Sequence, residues 1–556
     1  MGDPTPERLL VSPQAMGRTM LRVGAACVVL GAVGFGGSGC AETSCEETRT
    51  CASASTGGAD GGGTGGWSGT GSTGSGGTAG QPPVGSFGIS AASKSITLIE
   101  SSQVDLVVNV ARNDMNDPVT VDLVGLPAGV TASPVIAAAS DASVKLVIQA
   151  GVGVKHTTTA ITVRGKAGAD EKTAPVDLSV RGAPGAKDNG FGTGGETVGV
   201  VWGQWSRPRA LALGPDQKIY VAGEAGSTAA NTHAYFVARL TSAGELDTSF
   251  GQAGVVVRYE TAGTGAHVAR GLFVDPQGRS VVGGILGTTQ SFVARFDTAG
   301  ALDSTFGTAG EVVGSGFVAN AVAQQAAKTV FVGQTDDGPG YAAVARLDAD
   351  GKPDTAFGVA GLVKVNTGAY SSTAVVTAID ASNRIVIAGT SSKPGGPLLA
   401  ARMTPSGALD AFGTAGIAWL DPVTGSTLSG LAVRPDKRVL IGGGATANGY
   451  FVLQLDEQGA LDATFGTSGL VTGNELRIDA MALDAGGRLV AAGRQAQLLR
   501  VGRLGIDGKP DTTFGNGGFA DPGKDVTPQA VVVQPDGRAV VVGITSDKLH
   551  LTRIWM

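Results

Sequence analysis

A Phe-Gly pair recurs seven times in one setting, and this repetition constrains the fold more than anything else in the chain. The copies are Asp188…Phe191, Asp247…Phe250, Asp303…Phe306, Asp354…Phe357, Asp410…Phe412, Asp462…Phe465 and Asp511…Phe514. Successive Phe residues lie 59, 56, 51, 55, 53 and 49 apart. Each copy reads approximately Leu-Asp-x-x-Phe-Gly-x-x-Gly and runs into an apolar strand. A fixed period of this size means one supersecondary unit stacked on its neighbours.

The residues between the signatures are equally regular. An Ala-rich strand comes first, as in Ala210-Leu211-Ala212-Leu213, then a tight turn, as in Pro535-Asp536-Gly537-Arg538. A strand ending in Gly follows: Ile219–Gly223, Ser280–Gly283, Thr329–Gly333, Ile385–Gly389, Val439–Gly442, Leu489–Gly493, Ala539–Gly543. A variable loop leads to a third strand, typified by Phe236–Leu240, and a Gly-containing turn returns to the signature. Four short strands per unit make a propeller blade. The region opens on a signature and a strand, Glu196–Val201, and closes on a third strand, Leu549–Ile554. The N-terminal strand therefore completes the last blade, which removes the free edges of a linear array. The expectation is an all-β fold: a seven-bladed β-propeller over residues 188–556, closed by a blade shared between its two ends.

The segment Leu246-Asp247-Thr248-Ser249-Phe250-Gly251, with Phe236–Leu240 before it, resembles the delta-60 repeat of bacterial surface and secreted proteins. The resemblance spans residues 188–556 and implies a β-propeller; it implies little about activity. Unit one has Lys187 where Leu is usual, unit three replaces its Asp-Gly turn with Gln325-Ala326-Ala327-Lys328, and unit five has Gln454 where the others have Arg.

Upstream, the chain changes character three times. Residues 86–182 hold short β-branched segments such as Val104–Val110, Val144–Gln149 and Val176–Val180, punctuated by Gly, Pro, Asn and Asp. About seven strands in about a hundred residues predict an Ig-like β-sandwich, and Gly125–Pro134 resembles a motif of bacterial Ig-like surface domains. Residues 56–85 are almost entirely Gly, Ser and Thr and bury too little to offset ordering entropy, so 40–85 reads as a flexible tether. Arg18 and Arg22 precede the apolar run Val23–Phe35, which ends in small residues: a signal peptide over 1–39. Ser38-Gly39-Cys40 resembles a lipobox, which implies lipidation at Cys40; Gly37 departs from that pattern, and secretion after ordinary cleavage is the other reading. Cys45 and Cys51 are an even pair, read as a disulfide in an oxidising compartment, with metal binding the alternative.

No catalytic constellation is visible, so the chain is read as a non-enzyme. His156, His233, His267 and His550 are scattered without metal-ligand spacing. No cofactor or metal is expected, and with a net charge of −6 and no basic patch no nucleic-acid partner is expected either. The seven Asp residues and the nearby Arg239, Arg295, Arg346, Arg402, Arg503 and Arg553 repeat with the blades, so they are read as structural. Binding is expected on the face carrying the variable loops. Its exposed candidates are Trp202, Trp205, Arg207, Arg209, His233, Tyr235, Tyr259 and His267, with blade packing the competing role for the two Trp residues. The sequence thus reads as an exported monomeric lipoprotein of the outer membrane or cell surface. It would touch the membrane through its lipid alone and present a propeller head as a binding or scaffold module for a protein or glycan. A carbohydrate lyase or hydrolase at the propeller mouth and a structural envelope protein are the alternatives.

Overall fold

The computed structural model describes residues 85–228, 232–259, 267–287, 290–445 and 449–556. The segments expected as signal peptide and tether, with Cys40, Cys45 and Cys51, lie outside the described residues. Among the described residues every regular element is a β-strand, and no helix is long and apolar enough to cross a membrane.

Nine strands between Ser86 and Arg181 form two sheets. The first runs, in spatial order, Ser86–Ala91, Gln103–Asn113, Ser143–Ala150 and Val130–Ala132. The second runs Ser95–Ile99, Asp170–Arg181, Thr157–Ala167, Val119–Val124 and Val135–Ala137, its first pairing parallel. Period-2 alternation explains the layering. In Ser143–Ala150 every second residue is buried, and Val144, Leu146 and Ile148 share one core with Leu106, Val108, Val163 and Leu178.

The remaining 28 described strands form seven four-stranded sheets. Six are antiparallel meanders of consecutive strands, spanning 205–259, 267–315, 317–364, 372–420, 427–473 and 477–520. The seventh contains Thr527–Val533, Arg538–Thr545 and Lys548–Trp555, and its edge is the distant strand Glu196–Gly199, with Glu196 opposite Thr552 and Gly199 opposite Leu549. The first strand of each sheet packs on the first strand of the next, and Thr527–Val533 packs on Trp205–Leu213. These first strands therefore line an axis, and the arrangement is that of a β-propeller.

The signature residues join sheet to sheet. Each signature Phe is fully buried. An arginine lies over each ring: Arg239 over Phe250 at 4.7 Å, Arg346 over Phe357 at 4.2 Å and Arg553 over Phe191 at 4.5 Å are typical. The signature Asp accepts from that same arginine, as in Arg295 Nε to Asp303 at 2.7 Å, while its second oxygen takes the N–H two residues on. The guanidinium then reaches the following sheet, Arg295 donating to the Ala349 carbonyl at 2.6 Å. The signature glycine must be Gly: Gly251 has φ 54°, and its N–H donates to the Ala299 carbonyl of the next sheet at 2.7 Å.

The fifth sheet departs from this scheme where Gln454 replaces Arg. Gln454 still donates to Asp462 at 2.8 Å. The missing guanidinium comes from Arg434, which lies 5.9 Å from the Phe465 ring and donates to the Ile506 carbonyl of the next sheet at 3.1 Å.

The seam between the chain ends uses the same parts. Asp188, fully buried, accepts from Arg553 at 2.7 Å and Arg538 at 2.8 Å. The sandwich docks here through His156, whose Nε2 lies 2.9 Å from Glu100 and whose Nδ1 lies 3.2 Å from Asp188. The Trp555 indole N–H points at that same Nδ1, at 2.9 Å, and is accepted there only when this nitrogen carries no proton. Burial opposes the imidazolium, but the two carboxylates outweigh it and raise the His156 pKa. Burial likewise works against the Asp188 carboxylate; the His156 hydrogen bond and the two guanidiniums prevail and hold its pKa well below the usual range.

Candidate functional site

Each axial strand carries one irregularity, at one place in all seven sheets. The register slips by a residue between Pro208 and Ala210, Ala269 and Gly271, Ala319 and Ala321, Ala374 and Val376, Leu428 and Gly430, Ile478 and Ala480, and Pro528 and Ala530. The extra residues are Arg209, Arg270, Asn320, Val375, Ser429, Asp479 and Gln529. A β-bulge re-aims its side chain and breaks the ladder locally. It also explains the glycines near the end of each second strand. Opposite the residue before each bulge stand Gly223, Gly284, Gly333, Gly389, Gly443, Gly493 and Gly543. A Cβ at any of them would overlap the bulged strand's carbonyl oxygen.

The bulge side chains other than Val375 form a polar girdle around the axis. Arg209 donates to Glu224 at 2.6 Å and to Gln529 at 3.2 Å. Arg270 donates to Asn320 at 2.5 Å, and Asn320 passes its own N–H to the Ala374 carbonyl at 2.9 Å. Ser429 donates to the Ile478 carbonyl at 3.0 Å, and Asp479 pairs with Arg494 at 2.9 Å. Burial first, and the Arg209 charge second, push the Arg270 pKa down to about 10, with Glu224 opposing.

The two faces of the ring follow from strand direction. Turns between first and second strands, and between third and fourth, share one face, where the Asp–Arg sets sit. The other face receives the loops between second and third strands and the links between sheets. Here Trp202 stacks on Tyr259 with ring centroids 5.7 Å apart and planes 14° apart, and Tyr259 is 55% exposed. Arg207 lies 5.0 Å from the Trp205 ring and pairs with Asp547 at 2.9 Å, and the exposed His233 meets Trp205 edge-on at 5.7 Å. On the same face, loop 391–397 and the link 421–426 border an open groove of about 440 Å³, beside which Lys393 lies 4.0 Å from the Trp419 ring.

Three of the expected exposed residues are in fact buried. Tyr235 stacks on Phe292 of the next sheet at 4.4 Å and donates to Glu311 at 2.8 Å; burial and that carboxylate push its phenol well above the ordinary value. His267 begins an axial strand and is covered, and Trp205 is buried beneath Arg207. Sheet-to-sheet packing covers strand ends that a linear reading places at the surface. Trp202, Tyr259, Arg207 and His233 remain accessible on the loop face, and Arg209 belongs to the girdle. The sequence reading missed the rest of the girdle because its members share no residue type. Among the described residues no group of three or more His, Cys, Asp or Glu could hold a metal.

Two segments, residues 214–250 and 328–357, match a family described as a domain of unknown function (DUF5122) beta-propeller. Each runs from a first hairpin turn, or the strand after it, to the signature Phe. No curated protein matches the chain. Among solved structures, a chimeric titin Z1Z2 carrying a KLER exogenous peptide from decorin is 20% identical over 17% of this chain and 94% of that one, with a TM-score of 0.13. The titin z1z2 domains in complex with telethonin are 12% identical over 41% and 93%, with a TM-score of 0.13. An ICAM-5 D1–D4 ectodomain fragment is 10% identical over 75% and 98%, with a TM-score of 0.16. TM-scores this low say nothing about the fold.

Proposed function

We propose that the chain is an exported binding module: a seven-bladed propeller, closed by a blade shared between its ends, carried on an Ig-like sandwich. Residues 1–39 direct export, Cys40 carries lipid, and the segment up to residue 85 tethers the head at the outer membrane or cell surface. The protein is a monomer that binds rather than catalyses, and its partner is a protein or glycan met on the loop face.

One observation supports this reading above the others. The turn face spends its charged groups on holding sheets together, whereas the loop face presents aromatic groups with no counterpart in the other sheets, the Trp202–Tyr259 stack foremost. A stacked, half-exposed aromatic pair is a surface that rewards contact with a sugar ring or an apolar side chain. The test is a glycan array and a pull-down with the full chain and a Trp202→Ala/Tyr259→Ala variant. The variant is expected to lose at least tenfold in retention with an unchanged melting temperature. Equal retention by both proteins overturns the assignment of the face.

A further inference from the structure

The girdle holds a charge arrangement that the fold does not complete. Arg209 and Arg270 occupy the same bulge in adjacent sheets, so they leave neighbouring axial strands from equivalent points. Arg209 spends its two terminal nitrogens on Glu224 and Gln529, but its Nε is buried without a hydrogen-bond partner. Arg270 donates to a neutral amide, Asn320, and among the described residues no carboxylate is bonded to it. Across the axis Asp479 is matched by Arg494. Among the described residues three guanidiniums, those of Arg209, Arg270 and Arg494, therefore meet two carboxylates, Glu224 and Asp479, leaving one positive charge over. Two like charges on neighbouring strands in a half-buried setting repel, and an anion between them relieves the repulsion. Arg209 keeps 31% of its side chain accessible, so solvent reaches the pair.

We propose that the girdle is a binding site for one carboxylate anion, seated between Arg209 and Arg270. The single surplus charge suits a monoanion, and two neighbouring guanidiniums suit a group with two coplanar oxygens, one facing each. The carboxylate of an acidic sugar and the free end of a peptide share this chemistry. The inference deepens the binding-module reading and rests on it for the relevance of a ligand.

Calorimetric titration of the full chain at low ionic strength tests it, with acetate, glucuronate and a short peptide with a free C-terminus as probes and glucose as the neutral control. Saturable one-to-one binding of the carboxylates is expected, with none for glucose. Arg270→Gln should weaken binding at least tenfold without lowering the melting temperature, since it removes a repulsion. Glu224→Gln should tighten binding several-fold by removing a competing carboxylate, a gain that misfolding cannot produce. Whichever of glucuronate and the peptide binds more tightly identifies the source, and either ranking supports the site. Absence of saturable carboxylate binding, or equal affinities in wild type and both variants, overturns it. Carboxylate binding without retention on the glycan array or in the pull-down overturns the loop-face reading alone. Retention without carboxylate binding overturns the axial site alone.

Discussion

The turns on one face of the ring and the bulges along its axis are both sevenfold, yet they are filled in opposite ways. At the turns Asp and Phe stand in every copy, because each copy performs the same task of fastening one sheet to the next. At the bulges the backbone distortion repeats, and so does the glycine opposite it, while the side chains are Arg, Arg, Asn, Val, Ser, Asp and Gln. The fold dictates the bulge and its glycine but leaves the bulged side chain free. Positions that geometry repeats and chemistry does not are where such a scaffold can acquire specificity.

The comparison can be broken most forcefully at the seam, where fastening depends on both ends of the propeller region. A chain ending at Asp547 lacks the partner of Glu196–Gly199 and loses Arg553 and Trp555. It should unfold without a cooperative transition in scanning calorimetry; a normal sharp transition would show that the ring needs no closure.

Glycine against bulge gives the next largest contrast. Gly333→Ala drives a Cβ into the Val318 carbonyl and should cost about 2–3 kcal/mol by chemical denaturation. Ser429→Ala, at a bulge, removes one hydrogen bond and should cost about 1 kcal/mol. Equal losses would erase the distinction drawn between dictated and free positions.

The fifth sheet offers a smaller and more discriminating test. Arg434→Gln should destabilise by about 1–2 kcal/mol, and Gln454→Arg in that background should restore part of the loss by returning the guanidinium to its usual strand. Purely additive effects would mean that Arg434 does not stand in for the missing arginine.

The seam should also show in the pH dependence of stability. Asp188, with its pKa lowered, contributes fully above the ordinary carboxylate range and loses that contribution as pH falls. His156, with its pKa raised, contributes fully below about 6.5 and loses that contribution as pH rises through the folded value. The stability advantage of wild type over His156→Asn should thus be larger near pH 5.5 than near pH 9. An advantage that grows with pH would mean that the imidazole works only as the neutral acceptor of the Trp555 N–H.

The all-β, repeat-built character was legible in the sequence because its causes are local. A signature glycine with φ 54°, such as Gly251, and an Asp that caps its own turn recur at fixed offsets. The glycines of the second strands were visible as a pattern, but their cause was not, since the bulge they face leaves no residue type in common. The His156–Glu100–Asp188–Trp555 cluster, in which His156 and Trp555 alone are 399 positions apart, has no internal copy to betray it. Arg434 was hidden for a similar reason: it replaces an arginine from a different strand, so alignment of the repeats shows only the gap at Gln454. Tyr235 and His267 misled because their place near strand ends suggested solvent, and only the neighbouring sheet reveals the cover.

The buried carboxylate of Asp188 has a consequence for the order in which the molecule is made. Its partners Arg538 and Arg553 lie 350 and 365 residues downstream. During synthesis six sheets can assemble while this early anion waits, and the contacts that close so long a loop come last. Interrupted translation or clipping of the tail therefore leaves Glu196–Gly199 without its partner strand and Asp188 without the Arg553 guanidinium. The strand made last, Lys548–Trp555, is the one that joins the earliest strand of the propeller region to the rest.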